Sequence, residues 1–296
     1  MDPSRALSGR TLLTAIFGDP VEHSLSPAMH NAAYAALGME RAYAAFHVTA
    51  ERLRDAIRAI PALGLLGVNL TVPHKERALR MMADLSNEAR LLGAINCVVN
   101  RKGTLHGDNT DARGLELDLR ESGIALDGKV AVIVGAGGAA ASAVLAVVRL
   151  GAQRILVCNR TAARANRQAR RFAHHLGSRG GGRPTQTVEA RGLDTLTSPS
   201  TMGAAAIVIN ATPMGLKTGG FADLVYDETA PDCVFYDLVY ARDPTAFLAP
   251  AAALNRRTFD GAGMLINQGV LAFEIFNGCK PPQGVMRRAL MAALGR

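Results

Sequence analysis

Between Gly128 and Val188 the chain has neither aspartate nor glutamate. Ten cations fall in that stretch: Lys129, Arg149, Arg154, Arg160, Arg164, Arg167, Arg170, Arg171, Arg179 and Arg183. The other 23 of the 33 basic residues face 25 acids, so the net charge of +8 belongs to one segment. That segment also lacks aromatics apart from Phe172, which argues against a base-stacking surface and against nucleic acid as a partner. A local anionic ligand or a solvated basic face is left. Cysteine is scarce as well. Cys97, Cys158, Cys233 and Cys279 lie far apart with no C-x-x-C pair, and three sit in apolar runs. This excludes a disulfide framework and points to reduced, buried thiols in a cytoplasmic protein, with no metal expected. Long apolar runs are missing too. The stretch TLLTAIFG is only eight residues and no small-residue cleavage site follows, so neither a membrane span nor an export signal is expected.

What the sequence does contain is alternation. With 296 residues and 49% hydrophobic content, two domains are the natural expectation. Strand-like runs at Leu12–Phe17, Tyr43–Val48, Leu66–Val72 and Ile95–Asn100 alternate with amphipathic segments at Ala28–Leu37, Glu51–Ile60 and His74–Asp84, which reads as α/β. Lys102-Gly103 marks a hairpin. A helical stretch from Asp111 to Gly123 connects to a second body. There KVAVIVGAGGAAASAVLAVVRLGA presents a strand, a glycine turn and a helix, and Gly135, Gly137 and Ala140 satisfy G-x-G-x-x-A in the context of a dinucleotide fingerprint. Gly135 permits the tight turn and Gly137 lets the backbone approach a pyrophosphate. The amides of Gly138, Ala139 and Ala140 at the helix start meet its charge.

The next strand ends about 25 residues past Gly135, where an NAD-binding unit offers a carboxylate to the ribose. This chain offers Asn159, Arg160 and Thr161, then Arg164, a set suited to a 2′-phosphate and hence to NADP. Arg167, Arg170 and Arg171 read as a solvated helix face. Further strands at Thr185–Val188, Ala206–Asn210, Cys233–Leu238 and Arg257–Phe259 complete a six-stranded doubly wound sheet. The loop Gly177–Pro184 reads as a surface excursion. Thr212 and Met214 in NATPMG either line the nicotinamide pocket or belong to an ordinary turn.

In the first body Ser26-Pro27 reads as an N-cap and first helical residue, with Gly38 closing the helix. Ser24 has no capping duty on this reading. If the segment is extended, its hydroxyl points with that of Ser26 toward one spot suited to a carboxylate. Pro73 reads as a helix start, placing Lys75 in the first turn, where the macrodipole disfavours a cation and favours proton release; otherwise Lys75 is a surface lysine. Asn69 and Thr71 share one side of their strand. Asn96 is polar within an apolar run. Asp111 is either a helix cap or a partner for Lys75. Gln268, on the helical face of Met264, Leu271 and Ile275, is either a ligand contact or an internal lock.

The motifs HSLSPAMHN, GVNLTVPHK, GAINCVV, GDNTDARG, GAGGAA, NRT, NATPMG, DLVY and DGAGMLINQG occur in the order found in the shikimate dehydrogenase family, and the whole chain resembles that family. The resemblance implies NADPH-dependent reversible reduction of 3-dehydroshikimate to shikimate on the route to aromatic amino acids. It implies a substrate domain at 1–111, an NADP-binding Rossmann domain at 112–260, and helices at 261–296 that return to the first body. By the same resemblance Ser24 and Ser26 bind the ring carboxylate, with Tyr240 closing over it. Asn69, Thr71, Asn96, Asp111 and Gln268 hold ring hydroxyls, and Lys75 and Asp111 form the catalytic pair. Gly261 and Met264 contact the nicotinamide. The expected partners are the small-molecule substrate and cofactor, with a monomer or homodimer as the assembly. Cys97, where members often have threonine, and Arg242, where proline is frequent, depart from the pattern. Three rivals are a quinate dehydrogenase on the same scaffold, a methylenetetrahydrofolate dehydrogenase and a silent NADP-responsive binding module. The last is disfavoured by Lys75 and Asp111 together.

Overall fold

The computed structural model describes residues 7–177, 186–214 and 220–296. The chain divides into two compact units, Met1–Thr110 with Ile266–Arg296, and Asp111–Leu265.

The first unit contains β1 (Leu12–Gly18), α1 (Ser26–Ala36), β2 (Arg41–His47), α2 (Leu53–Ala62), β3 (Gly67–Leu70), β4 (Asp84–Leu85), α3 (Asn87–Leu92), β5 (Cys97–Arg101) and β6 (Thr104–Asp108). Its six strands form a mixed sheet in the order β2-β1-β3-β5-β6-β4. Parallel β1, β2 and β3 meet β5 in antiparallel fashion, and β5 turns back into β6 through Lys102-Gly103. Both turn residues have positive φ, 52° and 90°, as a two-residue hairpin with right-twisting strands requires. Alternation along β1 sends Ala15 and Phe17 into a core with Leu53, Ile57 and Ile60 of α2, three residues on one helical face. On β1 the Thr14 hydroxyl lies 2.8 Å from the Tyr34 phenol of α1, and Tyr34 packs on Phe273 with ring centres 5.1 Å apart. A Cβ at Gly67 would stand 2.4 Å from the Phe276 ring, so only glycine admits that approach.

The second unit contains α4 (Asp111–Glu121), β7 (Val130–Val134), α5 (Gly138–Arg149), β8 (Arg154–Cys158), α6 (Ala162–Gly177), β9 (Thr187–Arg191), α7 (Pro199–Gly203), β10 (Ala205–Asn210), β11 (Val234–Asp237), α8 (Leu248–Ala253) and β12 (Arg257–Phe259). All six strands are parallel, in the order β12-β11-β10-β7-β8-β9. The order reverses between β7 and β10, the switch point at which such sheets bind ligands. Alanines and valines bury α5 from Ala140 through Val148. Two further helices follow, α9 (Ala262–Asn277), within which the division between units falls, and α10 (Val285–Leu294).

Two expectations are corrected here. No helix starts at Pro73 and none runs from His74 to Asp84; Val72–Arg77 is a series of turns, followed by a 3-10 helix at Ala78–Met81. The physical reason is local. The Lys75 carbonyl, which a helix would give to Leu79, accepts from the Ile95 amide at 2.9 Å, so a single turn closed by Ala78 N on His74 O cannot propagate. Cys279 is half-buried, unlike the other three cysteines, and all four are free thiols. Residues 178–184 of the expected loop, Thr185 of the expected strand and Gly215 of NATPMG lie outside the described residues. Among the described residues no helix is long and apolar enough to cross a membrane, and no group of three or more His, Cys, Asp or Glu is placed to hold a metal ion.

Candidate active site

In the first unit the motif residues gather into hydrogen-bonded company. Ser24 N donates to Val21 O at 3.0 Å, closing a turn, and Ser24 Oγ accepts from Ser26 N at 3.4 Å. The N-cap position of α1 is Leu25, without a side-chain bond, and Ser26 is the first helical residue. The expected roles are thus corrected: Ser24 serves the helix end, the segment is a turn rather than extended, and Ser26 is not the cap. Pro27 is tolerated at either of the first two helical positions because its missing N–H has no intrahelical duty there, so the helix can begin one residue early. Ser26 is only 5% exposed.

Tyr43 is a residue that sequence reasoning missed. Asn31 clamps its backbone on both sides, at 2.8 and 2.9 Å, and the buried His30 ring stacks on it with centres 4.2 Å apart. Its hydroxyl donates to Asn69 Oδ1 at 2.8 Å, while Asn69 Nδ2 donates to Asn96 O at 3.0 Å. The Asn96 side chain accepts from Thr110 N at 2.8 Å, donates to Thr110 Oγ1 at 2.9 Å, and reaches Gln268 Oε1 at 3.4 Å. Asn69, Asn96 and Gln268 therefore belong to one polar chain, with Tyr43 and Thr110 as further members. Burial holds the Tyr43 hydroxyl well above the ordinary phenol range, so it works as a neutral donor. Gln268 is half-buried at the margin of a helical face whose buried members are Ile266, Gly269, Ala272, Phe273 and Phe276; Leu271 and Ile275 are half-buried like it.

Thr71 follows the end of β3 and its amide bonds Phe17 O at 3.0 Å. Lys75, half-buried, rides on the turn after it, so the helix on which the macrodipole argument stood is absent. That turn is held by its neighbours: His74 is fully buried, and its Nε2 bonds Val48 O at 2.6 Å. Burial lowers the His74 pKa, which keeps the ring neutral. Asp111 opens α4 in the second unit and is only 4% exposed.

In the second unit Gly135 has φ +117°, and a Cβ there would meet Ala211 O and Thr212 Cγ2 at 3.0 Å, so the turn after β7 needs glycine. Gly137 is the N-cap of α5 without a side-chain bond, and a Cβ on it would find open space. The first bond inside the helix runs from Ala141 N to Gly137 O, leaving the amides of Gly138, Ala139 and Ala140 without intrahelical acceptors. At the end of β8, Asn159 N bonds Arg191 O at 3.1 Å and Asn159 Nδ2 bonds Thr161 O at 3.0 Å, while Arg160, Thr161 and Arg164 are exposed. Thr212 and Met214 lie in a turn organised by Asn210, whose Oδ1 accepts from Thr212 N at 3.0 Å and Thr212 Oγ1 at 2.7 Å. Gly261 is buried beneath Leu238, where a Cβ would stand 2.2 Å from the Leu238 carbonyl oxygen. Met264 is buried, Tyr240 half-buried and Arg242 exposed. The residues present fit a dinucleotide: a backbone cradle open at Gly137, amides without intrahelical acceptors at a helix start, and exposed Arg160 and Arg164 just after β8, where a 2′-phosphate would lie.

Sheet order and glycine turn put the second unit among the Rossmann dinucleotide-binding domains, and Asn159-Arg160 directly after β8, in place of a carboxylate, narrows the class to NADP binders. Comparison with known proteins makes this specific. Residues 16–98 match the model of the shikimate dehydrogenase substrate binding domain, 118–178 that of shikimate / quinate 5-dehydrogenase, and 261–291 that of the shikimate 5′-dehydrogenase C-terminal domain. The shikimate dehydrogenase (NADP(+)) of Symbiobacterium thermophilum is 40% identical over 290 residues, covering 97% of this chain and 95% of that protein. A crystal structure of a shikimate dehydrogenase in complex with NADP+ superposes with a TM-score of 0.86 at 34% identity, covering 98% of both chains. The Thermus thermophilus enzyme in complex with NADP(H) and shikimate gives 0.82 at 35% identity, covering 96% of this chain and all of that one. The chain belongs to the shikimate dehydrogenase family.

Proposed function

We propose that this protein catalyses the NADP-dependent, reversible reduction of 3-dehydroshikimate to shikimate on the route to the aromatic amino acids. The observation that carries the reading is the continuous polar chain in the first unit, in a protein of this family: Tyr43, Asn69, Asn96, Thr110 and Gln268 set donors and acceptors suited to a small ring bearing several hydroxyls. Bound NADPH supplies the hydride. Lys75 gives a proton to the developing alkoxide, and takes it back in the oxidative direction. Asp111 is the second group of the catalytic pair. Ser24 and Ser26 hold the carboxylate; Asn69, Thr71, Asn96 and Gln268 hold the hydroxyls, and Tyr240 is a further substrate residue. The amides after Gly137 take the pyrophosphate, and Asn159, Arg160, Thr161 and Arg164 the 2′-phosphate. Thr212, Met214, Gly261 and Met264 surround the nicotinamide.

Oxidation of quinate is the second reading, supported by the joint shikimate / quinate family model that residues 118–178 match. Two small serines at positions 24 and 26 favour shikimate as the better substrate. We place the enzyme in the cytoplasm, as a monomer or homodimer. Following reduced-cofactor absorbance with shikimate and with quinate, each with NADP and NAD, tests the reading. Turnover is expected to be best with shikimate and NADP; no turnover of shikimate with either cofactor overturns it.

A further inference from the structure

We propose that Asp237 is a positioning residue for this reaction: its buried carboxylate holds both the turn that carries Thr212 and Met214 and the segment that leads to Tyr240. The inference rests on the assignment of those three residues to cofactor and substrate made above.

Asp237 ends β11 and is 0% exposed. Three donors from three segments converge on it. Asn210 Nδ2 and Val239 N reach Oδ1 at 3.0 and 3.1 Å, and Thr245 Oγ1 reaches Oδ2 at 2.6 Å. The polarity of each bond is set from elsewhere. Asn210 Oδ1 already accepts from Thr212 N and Thr212 Oγ1, so its amide nitrogen has to face Asp237. Thr245 Oγ1 accepts from Leu248 N at 3.3 Å and so spends its one proton on Asp237. Val239 N–H can only donate. Acceptor-only Asp237 suits all three donors as they stand; an asparagine there would either set its N–H against Asn210 Nδ2 and Val239 N or, facing Thr245, force that hydroxyl to turn its proton away and accept instead.

The chain of bonds continues outward. Thr212 Oγ1, held by Asn210, accepts from Met214 N at 3.2 Å, so Met214, Thr212, Asn210 and Asp237 form one line. The line touches the nucleotide turn, since the Cβ position of Gly135 lies 3.0 Å from both Ala211 O and Thr212 Cγ2. Toward the other side, Val239 N binds Asp237 while Val239 O accepts from Gly261 N at 3.0 Å, immediately before Tyr240. Burial raises the carboxyl pKa of Asp237, and the three donors work against that rise.

The test compares the full-length protein with Asp237→Asn, Thr245→Val and Thr245→Ser. The NADP dissociation constant is measured by calorimetry, well below each thermal midpoint, together with shikimate kinetics. Asp237→Asn is expected to weaken NADP binding about tenfold or more, the scale of one misdirected buried hydrogen bond. It should also raise the shikimate KM. Thr245→Val should weaken NADP binding by about threefold to tenfold, and Thr245→Ser, which keeps the donor, should bind as the parent does. Because binding is read on folded protein, a loss of stability alone does not move it. A folded Asp237→Asn protein with parental NADP affinity overturns the proposal; if that variant does not fold, parental affinity in Thr245→Val overturns it. A parent protein that binds NADP but does not oxidise shikimate defeats the functional reading instead, and the affinity series still decides the role of Asp237.

Discussion

Replacing Tyr43 with phenylalanine removes one oxygen and leaves the ring stacked on His30 and the backbone clamped by Asn31. The lost hydroxyl is the donor to Asn69 Oδ1 at 2.8 Å, and Asn69 is 6% exposed, so water cannot readily replace it. An acceptor orphaned in this way costs about 1–3 kcal/mol. We expect a destabilisation of about 1–2 kcal/mol, visible as a lower urea midpoint. Asn69 keeps its bond to Asn96 O but loses the partner that fixes its carbonyl. With about 1.4 kcal/mol per factor of ten, the shikimate KM should rise roughly fivefold to thirtyfold, with kcat within about threefold. The NADP KM should not move, because the perturbed residues all lie in the first unit. Steady-state kinetics on Tyr43→Phe, Asn69→Ala and the double variant measure the coupling, expected at about 1 kcal/mol. A folded Tyr43→Phe enzyme with the parental urea midpoint and shikimate KM, or complete additivity with Asn69→Ala, would refute the argument.

Lys75→Ala should lower kcat by about 10²-fold or more while changing the shikimate KM only a few-fold, the pattern of a group acting in the transition state; a change in KM alone contradicts it. Arg160→Ala should raise the KM for NADP about tenfold and leave that for NAD unchanged, which parallel kinetics with the two cofactors can check. His30 concerns stability. Its ring is buried, its Nδ1 has no hydrogen-bond partner, and burial pulls its pKa from the ordinary 6.5 to about 3. Between those values the unfolded chain takes a proton that the folded protein refuses. The contribution to stability is therefore complete above about 6.5 and is lost as the pH falls toward 3. His30→Leu should flatten that acid slope in urea midpoints measured across the range, and an unchanged slope would show that another group sets it.

Much of the second unit is legible in one dimension. The glycine turn at Gly135, the uncapped start of α5 and the strands on either side follow from residues close to one another, because positive φ, helix capping and strand alternation are local properties of the backbone. The hairpin at Lys102-Gly103 is legible for the same reason. Pro73 misleads, because a proline after a strand suits a turn as well as a helix start. The choice is made by Ile95 and Val48, which bond Lys75 O and the His74 ring from distant parts of the chain. Ser26 misleads similarly: its residue type fits a cap, but the helix begins one residue early and leaves Leu25 at the cap position.

The sequence by itself determined most of the strands and helices, the dinucleotide turn and the chemical types available for binding an acid, several hydroxyls and a phosphate. Only the tertiary structure decided which polar atoms face one another. Tyr43 and Asn69 are 26 residues apart, Asn210 and Asp237 are 27, and Asn96 and Gln268 are 172. No local preference carries the sign of such bonds. Each direction follows from which donors remain once strands and helices have paired their own amides and carbonyls, a count that closes only when the chain is folded.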